Sequence, residues 1–247
     1  MREAAHLQLL LDYDGTLAPI AATPDQAAPL PGTASLLERL TDRPRTSLAI
    51  VTGRTIADVR RLLDLSQATY VGLHGAEIQH PGGPVEVDPA VTTLQRDLPR
   101  LKAQLEEALA GRHGVWIEDK GAALACHYRQ ASRVDAAEAQ RIVAEIAATY
   151  RDRHGPIGLL HGHEISELRA AGIDKGRAVL TLLAAAPAAA LPVYAGDDAT
   201  DEDAFQRLPA AAITIRVAAA EVATHARYLA RGPREIREWL EAFEQTT

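Results

Sequence analysis

The sequence predicts an α/β protein with a parallel sheet covered by helices on both faces, and a smaller α+β domain inserted into it. In the first third of the chain, near-continuous apolar strands alternate with helices, which is typical of a parallel sheet with both faces buried. A middle region repeats helix–strand–strand, and the strand–helix alternation then returns. We therefore expect a core domain of residues 1–84 and 170–247 and an inserted domain of residues 85–169.

The N-terminal alternation contains three predicted strands and two predicted helices. The strands carry continuous apolar runs, and the helices carry apolar residues at helical spacing. In chain order the segments are the strand LQLLLDY, the helix TASLLERL, the strand TSLAIVTG, the helix IADVRRLLDL and the strand ATYVGLHGAEI.

The inserted domain is predicted to begin near the Pro- and Gly-rich segment HPGGPVEVDP at 80–89. A long amphipathic helix follows, and its apolar stripe is formed by Leu94, Leu98, Leu101 and Leu105. Its other predicted segments are the strands GVWIEDK and AALACHYR, the helix DAAEAQRIVAEIAATY, and the strands PIGLLHG and HEISELR. This order predicts a small sheet with helices on one face.

The last part of the chain returns to the first pattern and completes the core domain. Its segments are the helix GIDKGRAVLTLLAAA, the strand LPVYAGD, the acidic segment TDEDAFQRL, the strand AAITIRV and the terminal helix PREIREWLEAF.

Composition excludes some classes of function. The formal net charge of −7, with 47% apolar and 24% charged residues, is typical of a globular protein and disfavours a general nucleic-acid surface. The single cysteine, Cys126, lies in an apolar run and is predicted to be a buried small hydrophobe. We find neither a signal peptide nor an apolar run of membrane-spanning length, so we expect a cytoplasmic monomer that binds no nucleic acid and no membrane.

Four short segments carry the chemistry, and each lies where a core strand ends or a helix begins. In a doubly wound sheet, ligands bind outside the carboxyl ends of the strands, so these distant segments are predicted to share one cleft. They are DYDGT at 12–16, VTGR at 51–54, DKG at 174–176 and GDDATDEDAF at 196–205.

Acidic residues crowd two of the segments and predict a metal ion. Five carboxylates in one cleft would repel one another unless a cation lay among them. A small number of ligands that are all oxygen atoms suits Mg²⁺, because this ion retains several bound water molecules and also binds an oxygen of a substrate phosphate. The five are Asp12, Asp14, Asp197, Asp198 and Asp201.

The other two segments supply hydrogen-bond donors and a positive charge. Thr52 offers a hydroxyl, Gly53 an exposed backbone N–H, and Lys175 an ammonium beside the N-terminus of a helix. Acids with a metal on one side and donors on the other predict a phosphoryl site. Asp12, at the strand end, would attack phosphorus, and Asp14 would act as general acid and base.

Each motif alone has an ordinary structural interpretation. An isolated Asp-x-Asp is most often a surface turn, TGR a loop, DKG a helix start, and an acidic run a solvated face. The order of the four motifs and their positions at apolar strand ends favour the catalytic interpretation.

At these residues the sequence resembles the haloacid dehalogenase superfamily of phosphatases. The resemblance implies a Rossmann-like core with an inserted cap domain. It also implies Asp12 as nucleophile, Asp14 as acid/base, and a phosphate held by Thr52, Gly53 and Lys175. The implied Mg²⁺ ligands are Asp12, the backbone carbonyl of Asp14, and Asp197, with Asp198 and Asp201 behind them.

Further segments resemble the trehalose-6-phosphate phosphatase family within that superfamily. They are GDDATDEDAF, LHGAEI at 73–78, EDKGAALACHYR at 118–129 and ELRAAGIDKG at 167–176. The resemblance implies that cap residues grip sugar hydroxyls, whereas spacing alone favours a solvated sheet face for them. The implied substrate-binding residues are Arg54, His74, Glu77, Glu118, Lys120, Arg129, His163 and Glu167.

The sequence therefore predicts a Mg²⁺-dependent phosphatase that acts on trehalose 6-phosphate, a small sugar phosphate, through an aspartyl-phosphate. One departure is His163, which stands where a lysine is usual in the family. A related enzyme acting on sucrose phosphate or a glycosyl-phosphoglycerate is the first alternative. A non-catalytic regulatory phospho-acceptor domain is the second, although every catalytic position holds a competent residue.

Overall fold

The structure, a computed structural model, describes residues 6–21, 23–162 and 164–245. The chain divides into two compact units, each with its own sheet. One unit comprises the described residues of Met1–Glu86 and Asp174–Thr247, and the other comprises those of Val87–Ile173.

The elements follow one another in the predicted alternation. The first part contains β1 (His6–Leu11), α1 (Thr33–Thr41), β2 (Thr46–Val51), α2 (Ile56–Leu62), β3 (Thr69–Gly72), β4 (Glu77–Gln79) and β5 (Val85–Val87). The middle part contains α3 (Pro89–Ala108), β6 (Trp116–Asp119), β7 (Ala123–His127), α4 (Arg133–His154), β8 (Ile157–Gly162) and β9 (Ile165–Ala170). The last part contains α5 (Lys175–Ala185), β10 (Ala190–Gly196), α6 (Glu202–Arg207), β11 (Ile213–Val217), β12 (Tyr228–Ala230) and α7 (Pro233–Gln245).

The larger sheet has eight strands in the order β12-β11-β10-β1-β2-β3-β4-β5. The six strands from β12 to β3 in this order pair in parallel, and β4 pairs antiparallel to β3. Leu9 in the central strand β1 lies between Val193 of β10 and Leu48 of β2. The ends of β1, β2 and β10 therefore meet at one edge, where the predicted motifs lie.

Both faces of this sheet are buried by helices. On β1, Leu9 and Leu11 join a cluster containing residues of α1, α2 and α7, whereas Leu10 joins a second cluster with residues of α5 and α6. Alternate residues of a strand point to opposite faces, so continuous apolar runs are needed to fill both clusters. The predicted fold class is confirmed.

The second unit contains a four-stranded antiparallel sheet in the order β6-β7-β9-β8, and α3 and α4 pack against it. The predicted leucine stripe of α3 is buried throughout. Cys126 is also buried as predicted, and this burial raises the pKa of its thiol to about 11.

The predicted strand ATYVGLHGAEI is wrong in its middle. The chain leaves β3 at Gly72, forms a 3₁₀ turn over Leu73–Gly75, and returns as β4. The turn is held by the VTGR loop, because Leu73 N donates to Arg54 O at 2.8 Å and His74 N donates to Thr52 O at 2.9 Å. These long-range bonds are not visible in local hydrophobicity.

Two short strands were not predicted. One is β5, which lies in the segment expected to be a boundary, and the other is β12, at the sheet edge. Among the described helices, none combines the length and apolarity needed to cross a membrane. The monomeric state and cytoplasmic location stay predictions.

Candidate active site

A buried lysine joins two aspartates at the edge of the larger sheet. Asp12 directly follows β1, and Lys175 is the first residue of α5, with Asp174 as its N-cap. Lys175 Nζ donates to Asp12 Oδ1 and to Asp201 Oδ1, both at 2.8 Å. All three residues are at most 3% exposed, so their charges compensate one another inside the protein.

Asp197 completes an acidic cluster with Asp12 and Asp201. It follows β10 and is half-buried, and one carboxylate oxygen from each of the three lies within 4.8 Å of the others. This spacing is compatible with one cation bound among oxygen ligands.

Both carboxylate oxygens of Asp201 accept hydrogen bonds from other groups of the protein. Its Oδ1 accepts from Lys175 and from Tyr194 Oη at 2.5 Å, and its Oδ2 accepts from Asp198 N at 2.9 Å. The exposed Asp198 carboxylate accepts from Ala199 N at 2.6 Å. Asp201 therefore positions Lys175, while Asp12 and Asp197 keep oxygens at the cavity.

Burial and mutual repulsion shift the pKa values of the cluster. Burial, followed by the charge of Asp201, raises the pKa of Asp12 well above its usual value. Burial raises the pKa of Asp197 to about 6. Burial opposes the charge on Lys175, but Asp12 and Asp201 outweigh it and its pKa is raised. Without a cation, these shifts favour a proton on Asp12 or Asp197.

Asp14 is paired with Arg54. The guanidinium donates through Nε to Asp14 Oδ2 at 2.7 Å and through a terminal nitrogen to Oδ1 at 2.6 Å. It also lies over the ring of Tyr13. The bidentate pair fixes the orientation of the Asp14 carboxylate at the cavity.

Gly15 allows the DYDGT segment to pack closely against Asp197. Its φ of +70° is in the left-handed region, and a Cβ built there would lie 2.0 Å from Asp197 Oδ2. Glycine is therefore required at this position for two reasons, the positive φ of the turn and the close packing against Asp197.

Thr52 and Gly53 lie at the carboxyl end of β2. Thr52 is buried, and its hydroxyl accepts from Arg54 N at 3.2 Å. The His74 ring packs so closely on Gly53 that a Cβ there would lie 2.7 Å from it. Gly53 therefore makes room for the His74 ring, because any side chain at this position would overlap it.

These segments surround one cavity of about 430 Å³. Its volume accommodates a phosphate with ordered water. It is lined by Asp12, Asp14, Ile20, Ala21, Thr23, Ala27, Gly53, Arg54, His74, Lys175, Asp197, Asp198 and Thr200. The structure thus brings together residues from all four motifs, whereas the buried Thr52 and Asp201 are not among the described lining residues.

Glu77, a predicted substrate-binding residue, contacts the N-terminus of α2. Its Oε2 accepts from Ile56 N at 2.8 Å, at the first residue of α2, and it is not among the described residues that line the cavity. A carboxylate at a helix N-terminus stabilises the helix, and substrate binding by Glu77 stays a prediction.

Three predicted sugar-binding residues share the second sheet. Lys120 Nζ donates to Glu167 Oε2 at 2.6 Å, and Glu118 lies across Ala125 from Glu167 in the register of β6, β7 and β9. Glu118 Oε2 lies 2.8 Å from His127 Nε2. The three charged side chains therefore occupy neighbouring positions on one face.

Two further predictions on this unit have different outcomes. Arg129 is exposed and lies 3.2 Å from Glu164 through its Nε, so it is paired at the surface. His163 lies outside the described residues.

Sequence reasoning missed Tyr194, which donates a hydrogen bond to Asp201. Tyr194 is fully buried in an apolar strand, and its contact with Asp201 depends on the packing of β10 against the segment after it. A signal was present, since Tyr194 lies two residues before the GDD motif on a strand that ends at the site.

A second cavity, of about 560 Å³, lies in the other unit between α3 and α4. It is larger than the cavity at the strand ends, but its lining contains none of the predicted catalytic residues. We therefore identify the smaller cavity as the candidate site, because predicted catalytic residues line it.

Comparison with known proteins decides the family. The trehalose-phosphatase family model matches residues 10–233, which include all four motifs. The chain belongs to the trehalose-phosphatase family. The resemblance stated from the sequence is therefore confirmed.

Two curated relatives are similar over most of this chain. A probable trehalose-phosphate phosphatase of Sinorhizobium fredii is 40% identical over 200 residues, which are 80% of this chain and 72% of the relative. The trehalose-phosphate phosphatase of Mycobacterium tuberculosis is 36% identical over 202 residues, which are 80% of this chain and 50% of the relative. The match therefore spans about half the length of the mycobacterial protein.

A solved structure is similar along nearly the whole chain. A crystal structure of a trehalose-6-phosphate phosphatase related protein superposes with a TM-score of 0.75 at 29% identity, covering 96% of both chains. The core sheet and the inserted unit therefore belong to the fold of this family.

Proposed function

We propose that this protein is a Mg²⁺-dependent phosphatase that hydrolyses trehalose 6-phosphate to trehalose and phosphate. The observation that carries the proposal is the cavity that is lined by Asp12 and Asp197 together with the donor residues Lys175 and Gly53. Family membership supports trehalose 6-phosphate as the substrate.

The donor set fits Mg²⁺. Its candidate ligands are all oxygens, and Asp12 and Asp197 have raised pKa values that a cation would offset. We assign the ion to Asp12, Asp197 and the backbone carbonyl of Asp14. Asp198 and Asp201 would support these ligands without binding the ion themselves. When bound, it would neutralise phosphate charge and polarise a phosphoryl oxygen.

Asp12 is the proposed nucleophile. Its carboxylate oxygen forms a bond to phosphorus while the bond from phosphorus to the sugar oxygen breaks, which leaves an aspartyl-phosphate. Lys175, the Thr52 hydroxyl and the Gly53 N–H stabilise the phosphoryl oxygens. The Lys175 contact also holds Asp12 in the direction of the cavity.

Asp14 is the proposed proton donor and acceptor. It gives a proton to the leaving sugar oxygen and later removes one from the water that attacks phosphorus and releases Asp12. In this structure both carboxylate oxygens of Asp14 accept hydrogen bonds from Arg54. The donor step therefore requires that Arg54 release Asp14 or shift toward the substrate.

Sugar recognition is assigned to the charged face of the second sheet. Glu118, Lys120 and Glu167 present acceptors and a donor at neighbouring strand positions, which suits a ligand rich in hydroxyls. Arg129, His163, Arg54 and His74 stay further candidates for substrate contact.

Phosphate release from a substrate panel tests the proposal. We expect Mg²⁺-dependent release from trehalose 6-phosphate, with much slower release from sucrose 6-phosphate and glucose 6-phosphate. Asp12→Asn abolishes turnover, while the control Asp64→Ala, at an exposed acid that is not among the cavity-lining residues, retains most of it. Hydrolysis by Asp12→Asn at the rate of the unchanged protein would exclude Asp12 as nucleophile.

Glu118→Gln and Glu167→Gln test sugar recognition separately. Each is expected to lower kcat/KM for trehalose 6-phosphate far more than for p-nitrophenyl phosphate, because the small ester lacks the hydroxyls. Equal losses on both substrates would remove these residues from sugar recognition.

A further inference from the structure

An aromatic pair lies beside the charged face of the second sheet. The rings of Trp116 and His127 are stacked, with centroids 4.0 Å apart and an interplanar angle of 8°. The two residues are directly opposite each other in the pairing of β6 with β7. The pair is therefore fixed by two strands and not by a flexible loop.

Trp116 is unusually accessible for its size. It is 52% exposed, so much of its apolar surface faces solvent. A tryptophan that served mainly to stabilise the fold would bury most of this area. The exposed ring is thus a candidate for contact with a ligand.

His127 links the aromatic pair to the charged residues. Its Nε2 lies 2.8 Å from Glu118 Oε2, while its ring stacks on Trp116. Trp116 and Glu118 are two residues apart on β6, so both side chains point to the same face. Next along this face come Glu167 and Lys120, which pair at 2.6 Å.

A pyranose ring needs both kinds of surface that this face offers. Its C–H faces are apolar and flat, and its equatorial edge carries hydroxyl groups. A flat aromatic surface beside fixed carboxylates matches the two, as in binding sites that combine apolar walls with a few placed polar groups.

We infer that Trp116 and His127 form an aromatic platform on which a pyranose ring of the substrate stacks, while Glu118, oriented by His127, binds hydroxyls of that ring. This inference rests on the proposed function and deepens it by adding two specificity residues. Trp116 contacts the ring, and His127 acts partly as a positioning residue through Glu118.

Fluorescence tests the platform without turnover. The chain has two tryptophans, Trp116 and Trp239, so Trp239→Phe leaves Trp116 as the single reporter. In an Asp12→Asn, Trp239→Phe protein, trehalose 6-phosphate and free trehalose are expected to change the Trp116 emission, whereas inorganic phosphate does not. An emission spectrum unaffected by either sugar at saturating concentration would overturn the inference.

Kinetics test the same residue in the otherwise unchanged protein. Trp116→Ala is expected to raise KM for trehalose 6-phosphate about tenfold, with kcat within about twofold, because one stacking contact is lost. Trp116→Phe restores most of the affinity, and KM for p-nitrophenyl phosphate stays unchanged. The matched control is Tyr228→Ala, which removes another half-exposed aromatic ring and leaves both KM values unchanged.

The failures of the two proposals can be told apart. If the unchanged protein releases no phosphate from trehalose 6-phosphate, the proposed function is wrong, and the fluorescence titration alone decides the platform. If it hydrolyses trehalose 6-phosphate but Trp116→Ala keeps the original KM, only the platform is wrong. A change of sedimentation on Trp116→Ala without a change of KM would instead make Trp116 a contact between copies and overturn the platform.

Discussion

Gly15→Ala tests whether catalysis depends on the close approach of the DYDGT segment to Asp197. The added methyl carbon would lie 2.0 Å from Asp197 Oδ2 and 2.2 Å from its Cγ, where ordinary contacts begin near 3.4 Å. Either Asp197 or the backbone of Gly15 must therefore move by about 1 Å or more. Both carry proposed metal-site groups, since the Asp14 carbonyl adjoins Gly15.

The expected magnitude follows from this displacement. Misplacement of catalytic groups by about 1 Å costs about 100-fold in rate. That loss corresponds to about 2.7 kcal/mol of transition-state stabilisation. The left-handed backbone adds about 1 kcal/mol of strain to the folded state, a cost that changes stability more than chemistry.

Gly32→Ala is the matched control, because Gly32 also has a positive φ, +85°, but has nothing within 4 Å of its built Cβ. Phosphate release from trehalose 6-phosphate at saturating Mg²⁺ is measured for both variants, with their Tm values. Gly15→Ala is expected to lose about 100-fold in kcat/KM, and Gly32→Ala to stay within about threefold. Activity of Gly15→Ala near that of Gly32→Ala would refute the role of the close approach.

Three more predictions follow from the other contacts of the site. Asp201→Asn leaves Lys175 with one buried carboxylate, so it is expected to destabilise the protein by about 3 kcal/mol and to lower Tm. The control Asp198→Asn, at an exposed residue, is expected to change Tm little. Equal Tm values for the two variants would contradict this prediction. Arg54→Lys keeps the charge but loses the bidentate geometry, so kcat is expected to fall about tenfold. The surface control Arg61→Lys is expected to keep its kcat. An undiminished kcat for Arg54→Lys would exclude Arg54 from positioning Asp14. Burial raises the pKa of Asp197 to about 6 in the metal-free fold, so its protonated form stabilises the fold and that contribution is lost as the pH rises through about 6. Mg²⁺ needs the carboxylate and is expected to raise Tm more at pH 7.5 than at pH 5; the same increment at both pH values would count against Asp197 as a ligand.

The fold class could be predicted because burial on both faces of a parallel sheet requires continuous apolar strands. Leu9, Leu10 and Leu11 supply that signal in three consecutive residues, and they enter two different clusters. The same logic places Asp12 and Asp197 at one edge, because their strands are neighbours. The positions of these residues therefore follow from local pattern and the rules of sheet topology.

The remaining details depend on contacts between segments distant in sequence. The turn at His74 forms because backbone groups of the VTGR loop accept its N–H groups, and no local propensity encodes that. The position of Glu77 at the start of α2 depends likewise on where β4 returns. The stacking of Trp116 on His127 requires the register of β6 with β7, which a single sequence does not specify.

Lys175 has a directional consequence for any anion that enters the cavity. An ammonium group carries three hydrogens, and here two of them point at Asp12 and Asp201. One hydrogen is left to meet an incoming oxyanion, along a line that the two aspartates have already set. The lysine thus acts as a directional hydrogen-bond donor as well as a positive charge. An anion that approached from another direction would be attracted electrostatically but would form no hydrogen bond.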